Sequence, residues 1–359
     1  MDGKHTTLKE PKICVRCVMS WPDDPDITFD ERGICNHCRF VLSKHNEMKA
    51  VLLTRPWTIY EIKKVGKNNK YDCLLGLSGG VDSSLVLHYL VEQGLRPLAF
   101  SVDNGWNTPE SDENIMRLVE TLKVPFYRYT IDIPKFKALQ KAFIKSGTAN
   151  IEIPTDHVLM AATYEMANKY GIKHIISGGN WATESIMPPA WGYQARDLRY
   201  IKSVHRLFTG ERLRGLPTVS LLKYIYYRFI KGIKIVNFLD YYEYNRDEAK
   251  KLLAKKYGWK DYGEKHCESK FTKWFQDVWL PLFGIDKRKA HYSSLINSGQ
   301  MKREEAVNLL KIKPEIKWAP DEILGGLESV TKRNYKDYPN SEWAWNLLSK
   351  VYGIFKRKI

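Results

Sequence analysis

The chain has 359 residues, 43% of them hydrophobic, which is enough for about two domains with proper cores and too apolar for a disordered protein. Its net charge of +16 implies an anionic partner: nucleotide, nucleic acid or an acidic surface. No apolar run approaches the roughly 18 residues of a spanning helix. Met1 to His5 are polar and lack the apolar core of a signal peptide, so the cytoplasm is the expected compartment. There thiols stay reduced, and paired cysteines serve metals rather than disulfides.

Residues 1–50 read as a metal ribbon. Cys14 and Cys17 are followed by Cys35 and Cys38, with 17 residues between the pairs, inside the spacing window of a four-thiolate zinc site. So small a unit cannot build its own core, and a tetrahedral zinc would supply folding energy without entering any chemistry. Two alternatives stay open here: His37 replacing one cysteine as ligand, and an iron–sulfur cluster in place of zinc. A short strand is expected over Ile27–Phe29. Residues 51–69 form a helical linker.

Residues 70–190 read as a nucleotide-binding domain. An apolar run from Cys73 to Leu77 enters Ser-Gly-Gly-Val-Asp-Ser-Ser over Ser78–Ser84, and a helix follows directly. Strand, glycine turn, helix aims backbone N–H groups and the positive end of a helix at a phosphate. Gly79 and Gly80 allow close approach, Ser78, Ser83 and Ser84 offer hydroxyls, and Asp82 can orient a metal or a loop amide. No Gly-Lys-Ser/Thr follows, so this is not a Walker loop. Further strands are expected over Leu98–Val102, Phe126–Ile131 and His174–Ser177, alternating with helices over 109–122 and 153–170. That alternation predicts an α/β fold with a doubly wound parallel sheet. Asp103 stands at the end of the second strand, where it borders either a ribose or base or simply an exposed turn. Gly178, Gly179 and Asn180 make a second small-residue turn, with Thr183 and Glu184 beyond it, expected to face the first turn across a cleft.

Residues 191–359 read as a mainly helical region for substrate or partner. Between Arg196 and Lys234 there are ten Lys/Arg against two Asp/Glu. Inside this stretch, Leu221–Ile230 interleaves basic and aromatic residues. It reads as a nucleic-acid contact, an interfacial helix or, preferred because it is apolar nearly all round, a buried helix. A polar cluster follows at His266, Glu268, Lys270, Thr272 and Gln276, then a basic one from Asp286 to His291. Cys73 and Cys267 sit in poor contexts for a reactive thiol. A polar helix is expected from about 301, and a last helix near Ser341–Leu348 docks on the body.

The loop over Ser78–Ser83 resembles the pyrophosphate loop of the PP-loop ATPases, which cleave ATP between its α and β phosphates and adenylate a substrate oxygen. The chain as a whole resembles the N-acetyl sugar amidotransferases within that superfamily. The likeness rests on the four-cysteine ribbon, Leu77–Ser84, Asn104–Asn107, Gly178–Glu184, Leu221–Ile230, His266–Thr272 and Asp286–His291. It implies conversion of an acetamido group on a nucleotide-activated sugar to an acetamidino group, in surface-polysaccharide or flagellin-glycan biosynthesis. ATP adenylates the amide oxygen and ammonia displaces AMP. The resemblance implies ATP and magnesium at Ser78, Gly79, Gly80, Asp82, Ser83, Ser84, Asp103, Gly178, Gly179 and Asn180. It implies substrate contacts at Thr183, Glu184, Lys287 and Arg288, and catalysis by Asp82, His266, Glu268 and Lys270. A separate glutaminase and a barrel-shaped channel partner would supply ammonia, with no nucleic acid. The competing readings are a tRNA-modifying PP-loop enzyme and a non-enzymatic nucleotide-binding scaffold.

Overall fold

The structure, a computed structural model, describes residues 11–263, 265–316 and 330–356. The polar stretch Met1–His5 lies outside them, as does part of the expected polar tail at 317–329. At the centre is a five-stranded parallel sheet of β3 (Cys73–Gly76), β4 (Pro97–Asp103), β5 (Phe126–Thr130), β6 (His174–Ser177) and β7 (Lys234–Asn237). Their order is β5-β4-β3-β6-β7. Leu74 pairs with Leu98 on one side and with Ile175 on the other. The interior strands β3, β4 and β6 are nearly continuous buried runs, as strands covered on both faces must be. Alternate residues feed two cores. Leu74, Leu98 and Phe100 face one, and Cys73, Leu75 and Ala99 face the other.

The strand order reverses between β3 and β6, the switch point at which doubly wound sheets bind ligands. The two glycine turns meet there: a Cβ on Gly178 would lie 3.1 Å from the Ser83 amide nitrogen.

The expected strands and helices of residues 70–190 are all present, the helices as Pro109–Thr121 and Ile153–Lys169. The linker is helical, formed by the end of His45–Leu53 and by Arg55–Gly66, and the ribbon contributes the helix Asn36–Ser43 before it. The region from 191 is mainly helical, as expected, and also supplies edge strand β7. Two readings need correction. The segment Leu221–Ile230 is helical but not buried. Tyr227 alone is covered, stacked on Tyr164 at 5.4 Å, while Leu222 is 78% and Ile230 73% exposed. In the ribbon, Ile27–Phe29 makes only an isolated bridge from Phe29 to Cys35. Its paired strands are β1 (Lys12–Ile13) and β2 (Ser20–Trp21).

The ribbon shares the main core and is not a separate unit, since its cysteines, Met19 and Ile27 belong to the cluster that contains Leu74 and Phe100. It docks on two C-terminal helices, Lys287–Asn297 and Arg303–Lys311. The Val18 amide donates to Ser293 Oγ (3.3 Å), and the Arg303 guanidinium donates to the carbonyls of Cys17 and Cys14 (3.1 and 3.2 Å).

Candidate active site

The phosphate loop is held from within and from outside. Gly79 has φ +78°, and a Cβ there would lie 2.3 Å from the Ser111 carbonyl oxygen, so only glycine fits. The Trp259 indole N–H donates to the Gly79 carbonyl at 3.0 Å. Ser83 Oγ lies 3.1 Å from Ser78 Oγ and accepts from the Ser78 amide at 3.2 Å, closing the turn. The helix Val81–Glu92 starts at Gly80 and points its N-terminus into the turn.

Two cavities share this loop as a wall. The smaller, ≈ 240 Å³, is lined by Ser78, Gly80, Asp82, Ser83, Gly178, Gly179, Thr183 and Glu184 from the two turns. Arg246, Lys250, Lys265 and His291 face them from the C-terminal half. The larger, ≈ 850 Å³, extends from Leu77 and the end of β4 past Glu152 and Asp156 to Trp191, Tyr193 and Tyr335. Gly76, Ser78, His266 and Glu268 line both.

Asp82 accepts a short hydrogen bond from the Tyr244 hydroxyl, and the Lys265 ammonium stands 3.9 Å from its other oxygen and directly on Glu184. Burial raises the Asp82 carboxyl above its ordinary range, and Lys265 opposes that shift. His266 has φ +71°, a left-handed conformation rare outside glycine. It is sustained by pairing on the far side, where the Lys270 amide donates to the Trp106 carbonyl (2.9 Å) and the Thr108 amide to the Glu268 carbonyl (3.1 Å). Burial, then Lys287 and Lys265, hold His266 well below its usual pKa, so it is neutral near pH 7. Burial raises Glu268. His266 Nδ1 and Glu268 Oε1 are 4.0 Å apart, too far for a hydrogen bond.

Several expected site residues do not reach the two cavities beside the loop. Ser84 is fully buried behind the loop. Asp103 turns back to accept from the Gly105 amide at 3.1 Å, and Asn104 and Asn107 line the large cavity in its place. Lys270 lines neither of these two cavities; the helix Lys270–Trp274 begins at it. Asn180 caps the helix Trp181–Glu184, accepting from the Thr183 amide at 2.9 Å. The Arg288 guanidinium is held by Asp286 and by the carbonyls of Leu309, Leu310 and Ile312 at the edge of a third, ≈ 530 Å³ cavity. Asp82, Thr183, Glu184, His266, Glu268 and Lys287 do converge. Lys265, Tyr244, Arg246, His291, Glu152 and Asp156 were missed. Lys265 and His291 carried a signal, since they border or belong to the polar clusters read above.

Glu152 is 7% exposed, and burial with Asp156 beside it pushes its carboxyl up to about 8. A carboxyl raised on folding gives stability that is complete below its unfolded value and lost as pH rises through its folded one. Glu152→Gln should therefore melt higher than wild type at about pH 9, by on the order of 3 kcal/mol relative to the difference at about pH 5. Paired thermal melts check this, and an equal difference at both pH values sinks it.

The four ribbon cysteines are fully buried, and their sulfurs lie within 4.8 Å of one another, which fits one tetrahedral metal ion. The amides of Met19, Cys35 and Cys38 and the Asn297 side-chain amide point N–H groups at these sulfurs, as they do at metal-bound thiolates. His37 is committed elsewhere, to Asp24 at 2.6 Å.

Residues 59–209 match the family described as NAD synthase, and residues 268–328 match "LPS biosynthesis protein WbpG-like, C-terminal domain". The first match carries both glycine turns with Asp82, Glu152, Asp156 and Glu184. The second carries Glu268, Lys287 and His291. A curated relative, an uncharacterised protein of Methanocaldococcus jannaschii, is 27% identical over 166 residues, 46% of this chain; the match spans 58% of that relative's length. Among solved structures, the NMN synthetase of Francisella tularensis is 17% identical over 70% of this chain and 92% of that one, with a TM-score of 0.35. The U34-tRNA thiolase of Methanococcus maripaludis is 14% identical over 86% and 92%, also at 0.35.

Proposed function

We propose that this PP-loop protein is an AMP-forming amidotransferase that converts the acetamido group of a nucleotide-activated sugar to an acetamidino group, acting in bacterial surface-polysaccharide (O-antigen) or flagellin-glycan biosynthesis. The observation that carries this is the shared wall of the two cavities at Ser78, His266 and Glu268. An ATP whose pyrophosphate occupies the small cavity, beside Arg246, Lys250 and Lys265, presents its α-phosphate at that wall. The large cavity, with Trp191, Tyr193 and Tyr335 as apolar faces, has room for adenosine and an acceptor beside it. Asp82 and Glu184 are the oxygen donors available to magnesium. Lys265 and Arg246 neutralise the leaving pyrophosphate. The amide oxygen attacks the α-phosphorus and pyrophosphate departs. Ammonia then attacks the amide carbon and AMP departs. Neutral His266 and the raised carboxyl of Glu268 are suited to taking the protons released.

Ammonia reaches the site from a separate glutaminase through a barrel-shaped partner. Of the two cysteines outside the ribbon, Cys73 is fully buried with its thiol pushed up by burial, and Cys267 is 4% exposed, so neither is placed as a glutaminase nucleophile. The exposed apolar residues Leu222, Tyr226, Phe229 and Ile230 offer such a partner a docking face. No helix among the described residues is long and apolar enough to cross a membrane, and the proposed site of action is the cytoplasm.

The test is incubation with ATP, ammonium and a panel of UDP-N-acetyl sugars. The expected product has oxygen replaced by NH, formed with one AMP, and is read by mass spectrometry. The basic, tyrosine-bearing surface around Tyr226 supports tRNA modification as a second reading. AMP formation on tRNA with no sugar converted would select it.

A further inference from the structure

The large cavity contains acid that the proposed steps do not use. Glu152 and Asp156 stand one turn apart at the start of the helix Ile153–Lys169, and both line this cavity. Glu152 Oε2 accepts from the Thr272 hydroxyl at 3.2 Å, while its Oε1 is buried with no partner. A buried acceptor left unpaired is destabilising by about 1–3 kcal/mol, and a donor supplied by a ligand relieves it. Lys287 faces the pair from the helix Lys287–Asn297 and Glu268 from the turn before Ser269, so two or three carboxylates answer one ammonium.

Resting on the function proposed above, we propose that Glu152 and Asp156 bind the ammonium ion that supplies the new nitrogen and remove the proton that masks its lone pair. Ammonium is small, cationic and a donor in four directions. Its N–H groups match an unpaired, buried carboxyl oxygen in the cavity wall. One N–H bond breaks, and its proton joins a Glu152 oxygen. The freed lone pair forms the C–N bond to the adenylated amide carbon. The C–O bond breaks, and its electron pair leaves with AMP. The nitrogen's surplus proton stays on the product as amidinium, and Glu152 returns its own to solvent. The raised proton affinity of Glu152, about 8, approaches that of a simple amine, so this transfer is close to balanced.

The test compares wild type with Glu152→Gln and Asp156→Asn in three assays. These are sugar-dependent ATP–pyrophosphate exchange, turnover with ammonium, and turnover with hydroxylamine, an amine already neutral near pH 7. The expected result is intact exchange, a KM for ammonium raised tenfold or more, and turnover restored by hydroxylamine. Intact exchange also shows that the variants fold. Parallel loss of exchange and of turnover with hydroxylamine would mean a structural role, and an ammonium KM within twofold of wild type in both variants would overturn the site. If wild type itself shows no sugar-dependent exchange, the proposed function fails and this inference with it.

Discussion

Gly79→Ala lowers ATP turnover to AMP at least a hundredfold while leaving the protein folded. The backbone at Gly79 is left-handed, which disfavours alanine by about 1 kcal/mol before any contact is considered. The larger effect is steric. The new Cβ would lie 2.3 Å from the Ser111 carbonyl oxygen and 3.0 Å from Ser111 Cα, and both are backbone of a fully buried residue in the first turn of the helix Pro109–Thr121. Neither can swing aside, so the loop must move, taking with it the amides aimed at phosphate and the carbonyl that Trp259 holds. Loss of one oriented donor to a developing charge is worth about 10²–10³ in rate. Two controls separate loop geometry from glycine chemistry. Gly210 is equally left-handed with nothing within 4 Å of its Cβ position, so Gly210→Ala alters stability slightly and turnover not at all. Gly80→Ala meets only the tips of Ser78 and Tyr262 at 3.2 Å, which can rotate, and falls between the two. AMP formation and circular dichroism on all three decide the matter. Turnover by Gly79→Ala within tenfold of wild type would remove the loop from the chemistry.

That loop was legible because the physics behind it is local. A strand buried on both faces reads as an unbroken apolar run, and a turn that must admit a phosphate reads as paired glycines. The cysteine pairs were legible for the same reason, since chelation by a short turn dictates the spacing. The missed or misplaced residues depend on facts that are not local. Lys270 was grouped with His266 and Glu268 by residue type and proximity in one short polar stretch. The chain bridges Asn107 at Ser269 and turns helical at Lys270, which lines neither cavity beside the loop. Asp103 and Asn104 differ by one residue at a strand end, and one residue exchanges the two faces. Glu152 and Asp156 carry no local signal, and only the tertiary fold brings them to the wall of a cavity. The segment Leu221–Ile230 looked buried because it is apolar on most sides. Its packing on Tyr164 buries Tyr227, while Leu222, Tyr226, Phe229 and Ile230 stay exposed.

Removing a metal held by the ribbon should abolish the proposed sugar conversion, although the metal would take no part in that chemistry. The four sulfurs converge within 4.8 Å, and without an ion to hold thiolates together the ribbon lacks the folding energy of its own binding, about 10–16 kcal/mol for structural zinc. The ribbon in turn anchors the helix Lys287–Asn297 through Ser293, Lys289 and Asn297, and the helix Arg303–Lys311 through Arg303. The opposite side of the first helix sends Lys287 to the large cavity and His291 to the small one, with His291 Nδ1 3.1 Å from the Thr183 carbonyl. Chelation, or the pair Cys14→Ser and Cys17→Ser, therefore releases one wall of both cavities. The expected outcome is loss of hydrogen-exchange protection in 287–311 and a fall in turnover of more than a hundredfold, with β3, β4 and β6 still protected. Metal analysis identifies the ion, and visible absorption distinguishes an iron–sulfur cluster from zinc. A metal-free protein that keeps both its protection at 287–297 and its turnover would show that the ribbon is an appendage and not the support of the active-site wall.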